Sequence, residues 1–164
     1  MPKLIESAAQ RVFVFVAFFL CIPGVQAEGY AFGANQPVRN HKLEKIATGL
    51  AETLEMRTRL QVVIVPENDR IVSVEPFLNG EGYRVEFEGA FFDQLNEEEV
   101  VAALAHEIGH VWIFSHRPYL HSEALANEIA LQVVHRKPLE TLYTKLWAYT
   151  GVKGNMEELL GAED

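Results

Sequence analysis

The chain has 164 residues, a formal net charge of −9 at pH 7 and 49% hydrophobic residues. Nucleic acids and anionic membranes call for basic patches, so this acidic balance argues against both as partners. Cys21 is the single cysteine, which excludes an internal disulfide. It lies in a segment expected to be removed, so a thiolate metal site is not expected either. The length suits one domain with a real hydrophobic core.

Residues 1–27 have the pattern of a removable leader. Two basic residues, Lys3 and Arg11, precede an apolar run over residues 12–25. That run is short for a membrane-spanning helix, which needs about 20 residues. Small residues around Ala27 suit signal peptidase. We therefore expect export to a periplasm or secretion with no stable membrane insertion after cleavage, and an N-terminal anchor is the alternative.

The rest of the chain reads as an irregular arm over 28–40, a domain over 41–150 and an acidic tail over 151–164. Apolar spacing predicts a first helix starting near Asn40, and strands are expected over 61–65, 71–74 and 83–88. Pro138 is well placed to open a last helix that ends near Gly151. The tail is expected to hold at most a short helix. The order of elements predicts an α+β fold with a small mixed sheet packed on a helix.

The most informative motif is H-E-x-x-H, formed by His106, Glu107 and His110. Asn96 and Glu99 make a capping-box pattern that starts a helix through the motif. Histidines four residues apart lie on one helical face and can bind one ion, and Glu107 can reach a water on that ion. Gly109 leaves room for a second element to pack closely.

A catalytic zinc site needs a third protein ligand, and two residues are candidates. His116 stands where the metzincin pattern H-E-x-x-H-x-x-G-x-x-H has its third histidine, but Ile113 replaces the glycine of that pattern. A continuing helix would carry His116 too far along the axis. Glu123 begins a second helical segment, predicted to run to about His135.

Together with these residues, the stretch from Glu123 to Ala130 resembles the gluzincin peptidases related to HtpX and the CAAX prenyl proteases, in a compact single-domain form. The resemblance covers residues 83–135 and implies a zincin-like fold. It also implies one Zn²⁺ ion bound by His106, His110 and Glu123. The family has an aspartate four residues after the ligand glutamate, where this chain has Asn127. Asn127 can still accept a hydrogen bond from a ligand imidazole.

These residues predict a zinc metalloendopeptidase that acts on peptides or unfolded proteins, with Glu107 as general base. Its oxyanion donor is expected among residues downstream of the ligands, with His135 favoured by its position in the chain and His121 also considered; the others are Arg136, Tyr143 and Tyr149. Three alternatives stay open. One is a non-catalytic, zinc-stabilised binding module with a zincin fold, and another is a metzincin-like peptidase that uses His116 as third ligand. The last is a helical adaptor whose motif is coincidental.

Overall fold

The computed structural model describes residues 36–116 and 118–162. The predicted leader and most of the predicted arm lie outside these residues. Helix α1 spans Gln36–Thr53 and begins before the predicted start near Asn40, so residues 36–40 are helical rather than irregular. Pro37 explains the earlier start, because the first turn of a helix needs no backbone N–H from that residue.

Three short strands form one sheet: β1 (Leu60–Val65), β2 (Val72–Pro76) and β3 (Tyr83–Glu88). β3 lies in the middle, parallel to β1 and antiparallel to β2. Buried and more exposed residues alternate along β1, as expected for a strand with one face on the core. The predicted small mixed sheet and the α+β class are confirmed.

Five further helices follow the sheet: α2 (Gly89–Phe92), α3 (Glu97–Ser115), α4 (Glu123–Ala130), α5 (Arg136–Thr150) and α6 (Met156–Leu160). The segment predicted to stay helical to about His135 ends as a helix at Ala130, and residues 131–135 form the turn that leads to α5. α5 begins two residues before Pro138, which occupies its first turn, where a missing N–H costs nothing. α6 is the short helix of the acidic tail.

Helix α3 is the central element of the core. It contacts α1, β2, β3, α4 and α5. Leu104 and Ile108 on α3 are fully buried, as are Phe87 of β3 and Leu139 of α5. Burial from several directions fixes the rotation of α3, and so fixes where its polar residues point. Among the described residues, no helix combines the length and the apolar character needed to cross a membrane.

Candidate metal centre

The start of α3 is set by a capping box. The Asn96 side chain accepts from the Glu99 backbone N–H, and the Glu99 carboxylate accepts from the Asn96 backbone N–H. Glu99 is buried and also accepts from the Lys145 ammonium of α5, at 2.6 Å. The predicted capping box is confirmed, and it anchors the helix that carries His106 and His110.

Gly109 allows α4 to lie directly against α3. A Cβ atom at this position would stand 2.3 Å from the backbone oxygen of Ala126. Ser122 caps α4 by accepting from the Leu125 backbone N–H, so Glu123 is the first residue of the helix. Ala126 lies less than one turn beyond Glu123, and the close approach at Gly109 therefore brings Glu123 to the two histidines. The close packing predicted from Gly109 is confirmed.

His106, His110 and Glu123 form one cluster. The two Nε2 atoms lie 3.1 Å apart, with the rings at a nearly perpendicular angle of 86°. Glu123 Oε2 lies 3.1 Å from His106 Nε2, and Glu123 Oε1 lies 3.6 Å from His110 Nε2. The structure thus brings together the three residues predicted as metal ligands.

The spacing of these atoms fits a tetrahedral metal ion. Ligand atoms about 2.0–2.1 Å from a zinc ion, at tetrahedral angles, lie about 3.3 Å from one another. The two Nε2 atoms lie 3.1 Å apart, close to that value, and each has a Glu123 oxygen nearby, Oε2 at 3.1 Å from His106 and Oε1 at 3.6 Å from His110. One ligand atom from each residue lies within 4.8 Å of the other two. Two imidazoles and one carboxylate are also a donor set that zinc accepts in catalytic sites, where a fourth position stays open. The donors present therefore fit a zinc ion.

Asn127 contacts His106 on the side of the ring that faces away from the cluster. Its side chain is fully buried, and its Oδ1 lies 2.8 Å from His106 Nδ1. The Tyr143 hydroxyl lies beside both groups, 3.4 Å from His106 Nδ1 and in hydrogen-bond contact with Asn127. A hydrogen bond at Nδ1 orients the imidazole so that Nε2 faces the cluster. The predicted support of a ligand histidine by Asn127 is thus present in the geometry.

Glu107 lies beside the cluster and is 5% exposed. Burial raises the pKa of its carboxyl above the ordinary value, although His106 and His110 act in the opposite direction. Among the described residues, no hydrogen bond engages this carboxylate. An unengaged carboxylate with a raised pKa is a stronger base than a solvated one.

Contacts between His106 and Glu123 shift the pKa of each side chain toward its charged form. Burial lowers the pKa of His106, but the hydrogen bond to Glu123 and the charges of Glu107 and Glu123 outweigh it, so the net pKa is raised. For Glu123, burial raises the pKa, and the hydrogen bonds from both rings outweigh it and bring the net pKa far below its ordinary value. The lowered pKa favours the anionic form of Glu123, which is the form that binds a metal ion.

His121 lies on the opposite side of His110. The two rings are parallel, with centroids 4.7 Å apart and an interplanar angle of 5°. His110 Nδ1 is buried without a hydrogen-bond partner among the described residues, so on this side the ring is contacted by stacking rather than by a hydrogen bond. Burial, and then the charge of His110, lower the pKa of His121. The position of His121 two residues before Glu123 was its only sequence signal.

Other residues considered from the sequence lie outside the cluster. His116 is the C-cap of α3, its ring is stacked on Trp112, and its Nδ1 lies 2.8 Å from the Trp112 backbone oxygen. α3 continues to Ser115 without the turn that the metzincin pattern requires, so His116 does not join His106 and His110. His135 is exposed at the N-cap of α5, beyond the far end of α4 from Glu123.

The remaining oxyanion candidates have other partners. The Tyr149 hydroxyl donates to Glu88, and Arg136 binds the C-terminal segment. Tyr143 is buried against Asn127 and His106, where it supports the ligand ring. Of the residues weighed as donors, His121 and Tyr143 are the two that the structure places at the cluster.

Comparison with known proteins gives one structural similarity. The chain is similar to the crystal structure of the metallopeptidase zymogen abylysin of Pyrococcus abyssi, with a TM-score of 0.48 and 18% sequence identity. The similarity covers 66% of this chain and 95% of that chain. No family model matches the chain, and no curated protein matches it. The resemblance to the HtpX and CAAX prenyl proteases stays a prediction from the motif residues.

Proposed function

We propose that this protein is an exported, zinc-dependent metalloendopeptidase of the gluzincin type, similar to the HtpX and CAAX prenyl proteases. The observation that carries the proposal is the convergence of His106, His110 and Glu123 at ligand spacing, with the buried Glu107 beside them. A purely structural metal site has no use for a general base at this position. Export rests on the sequence of residues 1–27.

Each residue of the centre has a distinct role in this proposal. His106, His110 and Glu123 hold the ion, and a bound zinc would lower the pKa of its water and polarise the substrate carbonyl. Glu107 accepts the proton of the attacking water and returns it to the leaving amine. Burial supports this role, because loss of hydration destabilises the charged carboxylate and so makes it a stronger proton acceptor than an exposed one.

The centre is open on the side of Glu123, whose side chain is 59% exposed. An aromatic surface extends from there: His110 contacts His121, His121 contacts Phe114, and Phe114 stacks on Tyr83. β2 is a sheet edge and contacts α3. An extended peptide could pair with such an edge through its backbone, with little demand on its sequence. These features favour peptides or unfolded proteins as substrates.

We assign the donor to the substrate oxyanion to His121 rather than His135. The His121 ring is exposed to solvent and stacks on a ligand ring, so it borders the open side of the centre. His135 lies at the other end of α4 and shares no contact with the ligands. A neutral imidazole N–H can stabilise the developing negative charge.

The test is hydrolysis of a mixed peptide library by the full chain loaded with one equivalent of zinc. Glu107→Gln should bind zinc with unchanged stoichiometry and lose cleavage, because an amide cannot accept the proton. The control is Glu98→Gln, which removes an exposed carboxylate from the same helix and should cleave like the wild type.

Three results would contradict the proposal. Cleavage that survives chelation or Glu107→Gln would exclude a zinc-dependent reaction with this base. Stoichiometric zinc binding without any cleavage would instead favour a zinc-stabilised binding module, and no zinc binding would leave the motif without a metal.

A further inference from the structure

The C-terminal segment Asn155–Ala162 reaches the metal centre through Asn127. The Asn127 amide nitrogen donates to the backbone oxygen of Leu159, at 3.1 Å. The same segment contains α6, buries Leu160 and packs Met156 and Leu159 against the core. Asn127, which contacts His106, is therefore also bound directly by the C-terminal segment.

Leu159 is the partner that decides which way the Asn127 amide points. His106 Nδ1 can donate or accept, and the Tyr143 hydroxyl can also do either, so neither fixes the amide. A backbone carbonyl can only accept, so the Asn127 atom that faces Leu159 must be the NH₂ group. Oδ1 must then face His106, whose Nδ1 must carry the proton. The lone pair of His106 Nε2 is thereby directed at the metal centre.

Arg136 fixes the tail in this position. Its two terminal nitrogens donate to the backbone oxygens of Leu160 and Gly161, at 2.7 and 2.6 Å, and its Nε donates to Glu140, at 2.9 Å. A planar guanidinium can bridge two neighbouring carbonyls in a fixed geometry, whereas an ammonium group cannot. Arg136 therefore holds the residues that directly follow Leu159.

We propose that the C-terminal segment is a positioning element of the metal centre, in which Arg136 and the Leu159 carbonyl orient Asn127 and so set the tautomer of His106. The inference rests on the proposed zinc site. It accounts for the asparagine at this position, because an amide, unlike a carboxylate, supports His106 in only one of its two orientations. The tail supplies the acceptor that selects that orientation.

The experiment is a double-mutant cycle read as zinc affinity, measured with the zinc ion alone and a competing chelator on the full chain. Arg136→Ala should weaken zinc binding about tenfold in the wild-type background, the range seen when outer partners of ligand histidines are lost. In the Asn127→Asp background the same change should leave affinity within about twofold or raise it. There the Leu159 oxygen faces a second acceptor, and a looser tail relieves that contact.

The matched control is Lys137→Ala. Lys137 precedes Pro138 on the same turn and pairs with Glu140, but it makes no bond to the tail. It should change zinc affinity in neither background. If Arg136→Ala weakens zinc equally in both backgrounds, the tail acts only through general stability and the proposal is wrong. Arg136→Lys, which keeps the charge, serves as the milder variant if Arg136→Ala fails to fold.

A second measurement needs no metal. In the metal-free full chain, at a pH where His106 is neutral, ¹⁵N NMR of the ring gives the fraction of rings with the proton on Nδ1. Glu123, 3.1 Å from His106 Nε2, favours a proton on Nε2 in every variant, so the readout is the change on Arg136→Ala. The Nδ1–H fraction should fall in Arg136→Ala and stay at the wild-type value in Lys137→Ala, and an unchanged fraction in Arg136→Ala would overturn the proposal. Because this readout does not involve zinc, it separates the two ideas: a chain that binds no zinc but shows this change contradicts the proposed function and leaves the positioning role intact.

Discussion

At the scale of single residues, Gly109 allows the backbone of α4 at Ala126 to pack directly against α3. Gly109→Ala places a methyl group against the Ala126 backbone, which cannot swing aside as a side chain can. We expect a loss of about 1–3 kcal/mol in the free energy of unfolding, the usual cost of overpacking. Zinc affinity should fall as well, because α4 carries Glu123. Urea unfolding and chelator competition measure the two effects.

Gly49 is the matched control for that change. It also lies inside a helix, α1, but nothing stands within 4 Å of where its Cβ would be. Alanine favours a helix over glycine, so Gly49→Ala should stabilise the protein by about 0.5–1 kcal/mol. Zinc affinity should not change. Equal effects of the two substitutions would contradict the role given to the Gly109–Ala126 contact.

The proposed function gives His121 two roles, stacking on His110 and donation to the oxyanion, and substitution can separate them. His121→Phe keeps a flat ring beside His110 and removes the N–H group, so zinc affinity should stay near wild type while kcat falls about 100-fold or more, as for a lost oxyanion donor. His121→Ala should lower both quantities, since the His110 ring also loses its stacking partner. Wild-type kcat in His121→Phe would show that the ring acts by stacking alone. His135→Phe is the control and should cleave normally.

At the scale of secondary-structure elements, the capping box stabilises the start of α3, the helix that carries His106 and His110. Asn96→Ala removes the acceptor of the Glu99 backbone N–H and should cost about 1 kcal/mol of stability. Glu98→Gln, in the same turn but outside the box, should cost much less. Thermal unfolding of the metal-free chain measures both. No difference between them would mean that α3 is held by packing and not by its cap.

The elements that sequence predicted well are those with short-range signals. The capping box at Asn96 and the alternation along β3 depend on residues within a few positions, and both are observed. The C-terminal end of α4 was missed because the periodic pattern continues past Ala130, where the chain turns. The start of α1 was missed because the apolar spacing begins later than the helix does. Pro37 and Pro138 carried the relevant signal, since each lies in the first turn of a helix.

At the scale of the whole molecule, the centre is assembled from distant parts of the chain. His106 and His110 come from α3, Glu123 and Asn127 from α4, Tyr143 from α5 and the Leu159 carbonyl from the tail. The ligands could be proposed from sequence because their residue types are specific. The role of Leu159 could not, because a backbone oxygen has no sequence signal and its place depends on how α6 packs.

This assembly predicts that metal binding stabilises the entire domain. A zinc ion bound by His106, His110 and Glu123 would join α3 to α4. An ion that binds only the folded state adds about 2.7 kcal/mol when its free concentration is roughly 100-fold above Kd. Glu123→Ala removes one of three ligands and should abolish most of the zinc-dependent rise in Tm. His116→Ala, the residue of the metzincin alternative, should leave that rise unchanged, even though the loss of its stacking on Trp112 lowers Tm with and without zinc.

The comparison uses the zinc-dependent difference in Tm, measured for each variant with zinc and with chelator. Subtracting the chelator value removes the packing contribution, which matters because Glu123 contacts His106 even without an ion. A difference lost in His116→Ala and kept in Glu123→Ala would reverse the assignment of the third ligand. It would require α3 to end earlier than Ser115, since a continuous helix carries His116 well past His110 along its axis.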